Sequence, residues 1–242
     1  MRPLSARDIV QAWEWGQEQH PIDRALLLLT LAQPELSLTQ AATLTVGQRN
    51  VRLLMLREQT LGPRLNGVAT CPLCQTTLEF ALDVHDIRGP EPAVTRGQIE
   101  AGGCTVHFRL PTSADLATIV GLPDAGSARR QLVERCVDAA STRGAVVAAS
   151  DLPETVLATV LQAMRELDPE AETRFDLICA ACGHLWSALF DITSFFWAEI
   201  QALAQRLLQD VITLARTYGW REVDILAMSN ARRTYYLERA AA

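Results

Sequence analysis

The residues of this 242-residue chain best suited to chemistry are two pairs of cysteines. Cys71 and Cys74 stand in "CPLC", Cys179 and Cys182 in "CAAC". A Cys-x-x-Cys turn aims two sulfurs at one point, and two such turns supply the closed tetrahedron of thiolates that holds a structural Zn²⁺. Residue type alone leaves three outcomes open: zinc on all four, four buried core thiols without metal, or a thioredoxin-like redox pair. Two pairs and no βαβ pattern weigh against the redox pair. The matching contexts, each pair leading into a strand-like alternation, favour structural Zn²⁺ on Cys71, Cys74, Cys179 and Cys182. The gap from Gln75 to Ile178 is about a hundred residues, against roughly 15–20 in a compact ribbon. Closure costs only ~0.6 kcal/mol per doubling of loop length, and a folded insert costs less. His184 is a substitute ligand by type and reads as solvent-facing. Cys104 and His107 are an odd number apart on a strand, hence on opposite faces, and Cys136 reads as core.

The elements that must position these turns follow from periodicity. Ser5 with Asp8 three residues on predicts a helix start ahead of Ile9, Val10 and Trp13. Pro21 opens a second helix, "PIDRALLLLTLAQ", apolar on every side at Leu26 to Leu29 and therefore buried. A third, "GQRNVRLLMLREQTLG", stops at Gly62 and Pro63. The period then falls to two: Leu78, Phe80, Leu82 and Val84 predict a half-buried strand after the first pair. Phe175 and Leu177 before the second pair, with Trp186, Ala188, Phe190 and Ile192 after it, predict the same. Between them, "HDIRGPEPAVTRGQIEAGG" reads as a loop and "TVHFRL" as a strand. Ser113 reads as the cap of a helix over "ADLATIV". "ARRQLVERCVDAA" and "PETVLATVLQAMREL" read as two further helices, after Gly126 and with Pro153 at N1. A long stripe, Phe196, Ile200, Leu203, Leu207, Val211 and Leu214, ends at Gly219 before two short helices. Trp197 and Leu208 lie off the centre of that stripe.

The fold class this predicts is α+β: mostly helical, with a small zinc-ribbon β element formed by two distant CxxC knuckles and an inserted α/β subdomain. Residues 1–66 form an N-terminal helical region, 67–86 and 174–192 the two halves of the ribbon, and 87–173 a mainly helical insert. Residues 193–242 form C-terminal helices that pack on the N-terminal ones.

Composition excludes more than it selects. A net charge of −6 makes a poor binder of phosphate backbones or anionic membranes. No apolar run reaches the ~18 residues of a membrane span, and the N-terminus is not of signal-peptide type, so a cytoplasmic protein is expected. No P-loop, G-x-G-x-x-G, H-E-x-x-H or G-x-S-x-G motif is present, and a four-thiolate zinc leaves no open position for water. A non-enzyme is expected. "YGWREVDILAMSNARRTYYLERA" also admits a helix-turn-helix with Arg232, Arg233 and Arg239, though its turn lacks glycine.

The ordered stretches "DRALLLL", "GQRNVRLLMLREQTLG", "CPLC", "FRLPTSADL", "CAACGHLW" and "FFWAEIQALAQRLL…YGWREVDILAMSNARRTYYLE" resemble a known family. It is that of small zinc-ribbon proteins encoded with the baseplate genes of contractile-tailed phages and contractile injection systems. These are similar to phage baseplate hub subunits and tail assembly chaperones. The resemblance implies a non-enzymatic baseplate or hub assembly protein, without small-molecule substrate, that joins a phage tail-like particle. Its partners would be hub, spike or tape-measure proteins. The C-terminal aromatics, Trp220, Tyr235 and Tyr236 with Arg232, are then the expected partner-binding surface, being the types enriched at interaction hot spots. The alternative is a zinc-ribbon regulatory or nucleic-acid-binding adaptor.

Overall fold

A computed structural model describes residues 1–240. The N-terminal third is helical: α1 (Ala6–Gly16), α2 (Pro21–Ala32), α3 (Leu38–Ala42) and α4 (Val46–Leu61). Each start is satisfied locally. Ser5 and Asp8 close a capping box on α1, His20 caps α2 ahead of Pro21, and Thr45 with Gln48 closes a second box on α4. α1, α2 and α4 pack against α9 (Ile192–Tyr218), a 27-residue helix about 40 Å long by rise per residue. Leu28, Leu29, Leu53, Leu54, Phe196 and Ile200 are fully buried where they meet. Arg57, itself buried, ion-pairs with Glu199 at 2.6 Å and ties α4 to α9. Residues of α1 and α2 share one core cluster with Phe196, Ile200 and Leu207 of α9. Trp197 is a correction. It is buried, lies 4.5 Å beneath the Arg24 guanidinium and packs against Gly16, where any Cβ would collide with its ring.

Three antiparallel sheets follow. The first is a hairpin of β1 (Arg64–Thr70) and β2 (Thr77–Asp83), ending in the short helix α5 (Val84–Ile87). The last is a hairpin of β7 (Arg174–Ile178) and β8 (Leu185–Leu189), leading into α9. An aromatic ladder joins them. Phe80 of β2 meets Phe175 of β7 at 5.1 Å, Phe175 meets Phe190 at 6.2 Å, and Phe190 meets Phe195 of α9 at 5.2 Å. The ladder links both hairpins to the helical core, each contact adding roughly 0.5–1.5 kcal/mol beyond area burial.

Between the hairpins lies a four-stranded sheet of β3 (Arg96–Ala101), β4 (Cys104–Arg109), β5 (Val137–Thr142) and β6 (Ala145–Val146), in that order. α6 (Ser113–Ala117), α7 (Ala125–Cys136) and α8 (Glu154–Leu167) accompany it. Val106, Phe108, Cys136, Val156 and Val160 form its own core. Five expectations are corrected here. The stretch read as a loop contains β3. The end of "ARRQLVERCVDAA" is strand, because pairing with β4 overrides its helical composition. Thr112, not Ser113, caps α6, closing a box with Asp115. Pro153 is the N-cap of α8 rather than its first residue, and Asp124, not Gly126, starts α7.

The insert is anchored on the N-terminus of α4. Thr45 bridges Thr112, Val46 N–H donates to Pro111, and Gly47 N–H donates to the Asp168 carboxylate at 3.0 Å. Asp168 is buried there, and a Cβ on Gly47 would sit 1.7 Å from its Oδ1, so only glycine admits the contact. A carboxylate at a helix N-terminus also meets the positive end of the helix dipole.

Candidate metal centre and partner surface

Both cysteine turns are built the same way. In the first, Gln75 N–H donates to the Cys71 carbonyl and Cys71 N–H to that of Thr76. In the second, Gly183 N–H donates to Cys179 and Cys179 N–H to His184. The residue after each second cysteine is left-handed: Gln75 at φ 60° and Gly183 at φ 72°. Glycine takes this conformation freely; Gln75 pays a strain of order 1 kcal/mol that the surrounding turn must hold. Because both hairpins are fixed to one aromatic ladder, the turns meet.

The four sulfurs lie within 4.8 Å of one another. Cys71 and Cys182 are 3.8 Å apart, Cys74 and Cys179 3.5 Å. A divalent ion bound tetrahedrally at about 2.3 Å sets its sulfurs about 3.8 Å apart, so the donor set fits one ion with shifts of no more than about 1 Å. Cys71 and Cys179 are buried, whereas Cys74 and Cys182 face solvent. Hydrogen bonds from the Thr76 side chain and backbone pull the Cys74 thiol down to about 6. At Cys182 the backbone hydrogen bond involving His184 favours the thiolate, yet desolvation and the three neighbouring thiols push it up to about 12. Four negative sulfurs repel one another at this range, and a cation among them is what lets all four ionise. Among the described residues this is the one cluster of three or more metal-ligating side chains at such spacing.

The remaining candidates are not brought to it. Cys104 is buried on β4 beside Thr142, with His107 exposed on the opposite face as expected. Burial pushes the Cys136 thiol up to about 12, leaving it inert. His184 is not solvent-facing; it is half-buried and stacked on Trp186 at 6.0 Å.

The C-terminal segment forms α10 (Glu222–Leu226) and α11 (Asn230–Ala240) after the left-handed Gly219. Trp220 stacks on Tyr218 at 4.6 Å and meets Tyr236 edge-on at 4.8 Å, and both Trp220 and Tyr236 are half-buried. Tyr235 is 49% exposed, with the Arg239 guanidinium 3.4 Å from its ring centroid. Arg232 is exposed and lies 5.8 Å over Tyr236. Arg233 is not displayed on the outer face of a helix-turn-helix: it is buried and paired with Asp210 at 3.1 Å.

A family model described as "T4 bacteriophage base plate protein" matches residues 30–197. The chain belongs to that family. The match runs from α2 through both cysteine turns and the insert to the start of α9. Searches of curated proteins and of solved structures each find no match. Membership supports a structural place for this base plate family member among tail and baseplate proteins of a phage particle. Among the described residues, no helix is long and apolar enough to cross a membrane.

Sequence reasoning missed the groups that hold the two turns in place, the Phe80–Phe175 pair and the left-handed Gln75, and the Asp168–Gly47 contact that anchors the insert. The phenylalanines were legible as apolar positions, but not as partners across the hundred-residue insert.

Proposed function

We propose that this protein is a non-enzymatic assembly or structural subunit of the baseplate hub of a contractile phage tail-like particle. It acts by protein–protein contact, and one structural Zn²⁺ on Cys71, Cys74, Cys179 and Cys182 locks its two hairpins together. The family match over residues 30–197 carries this reading. The closed four-sulfur geometry supports it: such a site binds a fourth sulfur where a catalytic zinc keeps water. Hub, spike or tape-measure proteins are the partners, and the particle rather than the free cytoplasm is the working location. Trp220, Arg232, Tyr235 and Tyr236 form part of the gripping surface. Trp220 and Tyr236 are the rigid base, and Tyr235 and Arg232 the groups that reach solvent.

The test is co-purification with hub, spike and tape-measure proteins expressed together. Tyr235→Ala and Arg232→Glu, in protein shown by circular dichroism and metal content to be folded, should each weaken capture about tenfold or more, the scale of a hot-spot residue. Unchanged capture by both would remove these helices from the interface.

A further inference from the structure

A cleft lies between α1, the end of α4, α9 and α10. It encloses about 850 Å³, within the usual range of ligand sites. Its walls are aliphatic, with Ile9, Leu203, Leu207, Leu226 and Met228 among them. The only ionisable residues lining it are two arginines, Arg7 and Arg233. That is unusual in a chain with 28 acidic and 22 basic residues. Arg7 is exposed and, among the described residues, makes no ion pair. Arg233 is buried; its Nε donates to Asp210 and its Nη2 to Asn230, but its Nη1 has no hydrogen-bond partner. A guanidinium carries five N–H donors in a fork that matches a carboxylate, so this cation is under-satisfied where the cleft meets α11. A second cleft of about 510 Å³ shares Arg7, Val223 and Leu226 with the first and continues along α1 to the exposed Trp15. Glu14, Glu222 and Arg221 line that second cleft, so its charges are mixed, and the groove of one charge sign is the first cleft alone.

Resting on the baseplate reading above, we infer that this groove takes an apolar peptide segment bearing a carboxylate, from Asp, Glu or a chain end, contributed by a baseplate partner. Charge complementarity selects the occupant: in the first cleft, two arginines, no lining carboxylate and mainly aliphatic walls favour an acidic apolar segment and repel a basic one. Arg233 stands on α11, the helix that carries Arg232, Tyr235 and Tyr236, so the groove continues the surface already assigned to the partner.

The experiment is selection of a displayed library of random 12-residue peptides on the full chain. Binders are then measured on the wild type and on two folded variants. Arg7→Glu reverses the free charge at an exposed site, and Ala227→Trp fills the cleft from an exposed position on its wall. Arg233 is left intact, since replacing it would strand Asp210. The expected binders combine two or more aliphatic residues with Asp, Glu or a free C-terminus. Their affinity should fall at least tenfold in each variant and should weaken as salt is raised. No binders, basic binders, or affinities indifferent to both variants would overturn the inference. Self-association abolished by Ala227→Trp would assign the groove to a second copy and would equally overturn it. Acidic binders support the groove whether or not baseplate proteins co-purify. Co-purification that survives both variants, with no acidic binder selected, overturns the groove and leaves the baseplate reading standing.

Discussion

Replacing Cys179 with serine should release the metal and loosen both hairpins together. Cys179 is buried and lies 3.5 Å from Cys74, so its loss removes one of the four ligands from the inner side of the site. Metal analysis of protein purified without added zinc should read one Zn²⁺ per wild-type chain and near zero for the variant. In small zinc fingers the binding free energy is the folding free energy, of order 10 kcal/mol. The loss here should be smaller, a few kcal/mol, because the Phe80–Phe175–Phe190 ladder and the helical core remain. Limited proteolysis should therefore cut first near residues 71–76 and 179–184, with the helices protected. A wild type that holds no metal, with four titratable thiols in the native fold, would contradict the proposed centre.

Asp115→Ala should be the most damaging substitution in the insert. The Asp115 side chain is 3% exposed, and Arg109 reaches both of its oxygens, at 2.6 and 2.8 Å. Its oxygens also accept from the backbone and hydroxyl of Thr112, closing the cap of α6. Removing one member of a buried pair costs about 3–5 kcal/mol, and the partial exposure of Arg109 places this case near the lower end. Burial by itself raises the Asp115 carboxyl, but the hydrogen bonds from Arg109 and Thr112 outweigh it and hold it well below the usual carboxylate range. A depressed folded pKa stabilises above the unfolded value near 4, and that stabilisation is lost as pH falls further. Denaturant titrations should accordingly show the difference between wild type and variant shrinking below about pH 4. A difference that does not change with pH would mean the pair contributes nothing by charge.

Much of the framework was legible because its signals are local. Ser5 with Asp8, Pro21, Gly62 and Gly219 mark helix ends through bonds made within a turn, and the stripe from Phe196 to Leu214 needs only its own spacing. The cysteine pairs announce themselves by type. Two of the strands that escaped, β1 and β3, share a device. In β1, Gly67 lies opposite Phe80, and in β3, Gly97 lies opposite Phe108. At each glycine a Cβ would meet the partner's ring, at 2.5 and 2.6 Å. Each phenylalanine covers the cross-strand glycine, a compensation known to restore strands that glycine weakens. Read singly, "RLNGVAT" and "RGQIEA" look like turns, since glycine marks a breaker until its partner is known. The cleft escaped for the same reason: Arg7 and Arg233 are 226 positions apart in the chain and line one cleft only once the helices are packed.

The central claim, a baseplate subunit working by contact rather than catalysis, is tested most directly in the particle itself. The gene is deleted in a producing strain and restored as wild type, as Cys179→Ser, or as Tyr235→Ala with Arg232→Glu. Particles are then counted by electron microscopy. The account predicts that deletion leaves few or no complete baseplates, that wild type restores them, and that both variants fail although neither touches a catalytic group. Normal numbers of intact, functional particles in the deletion strain would contradict it.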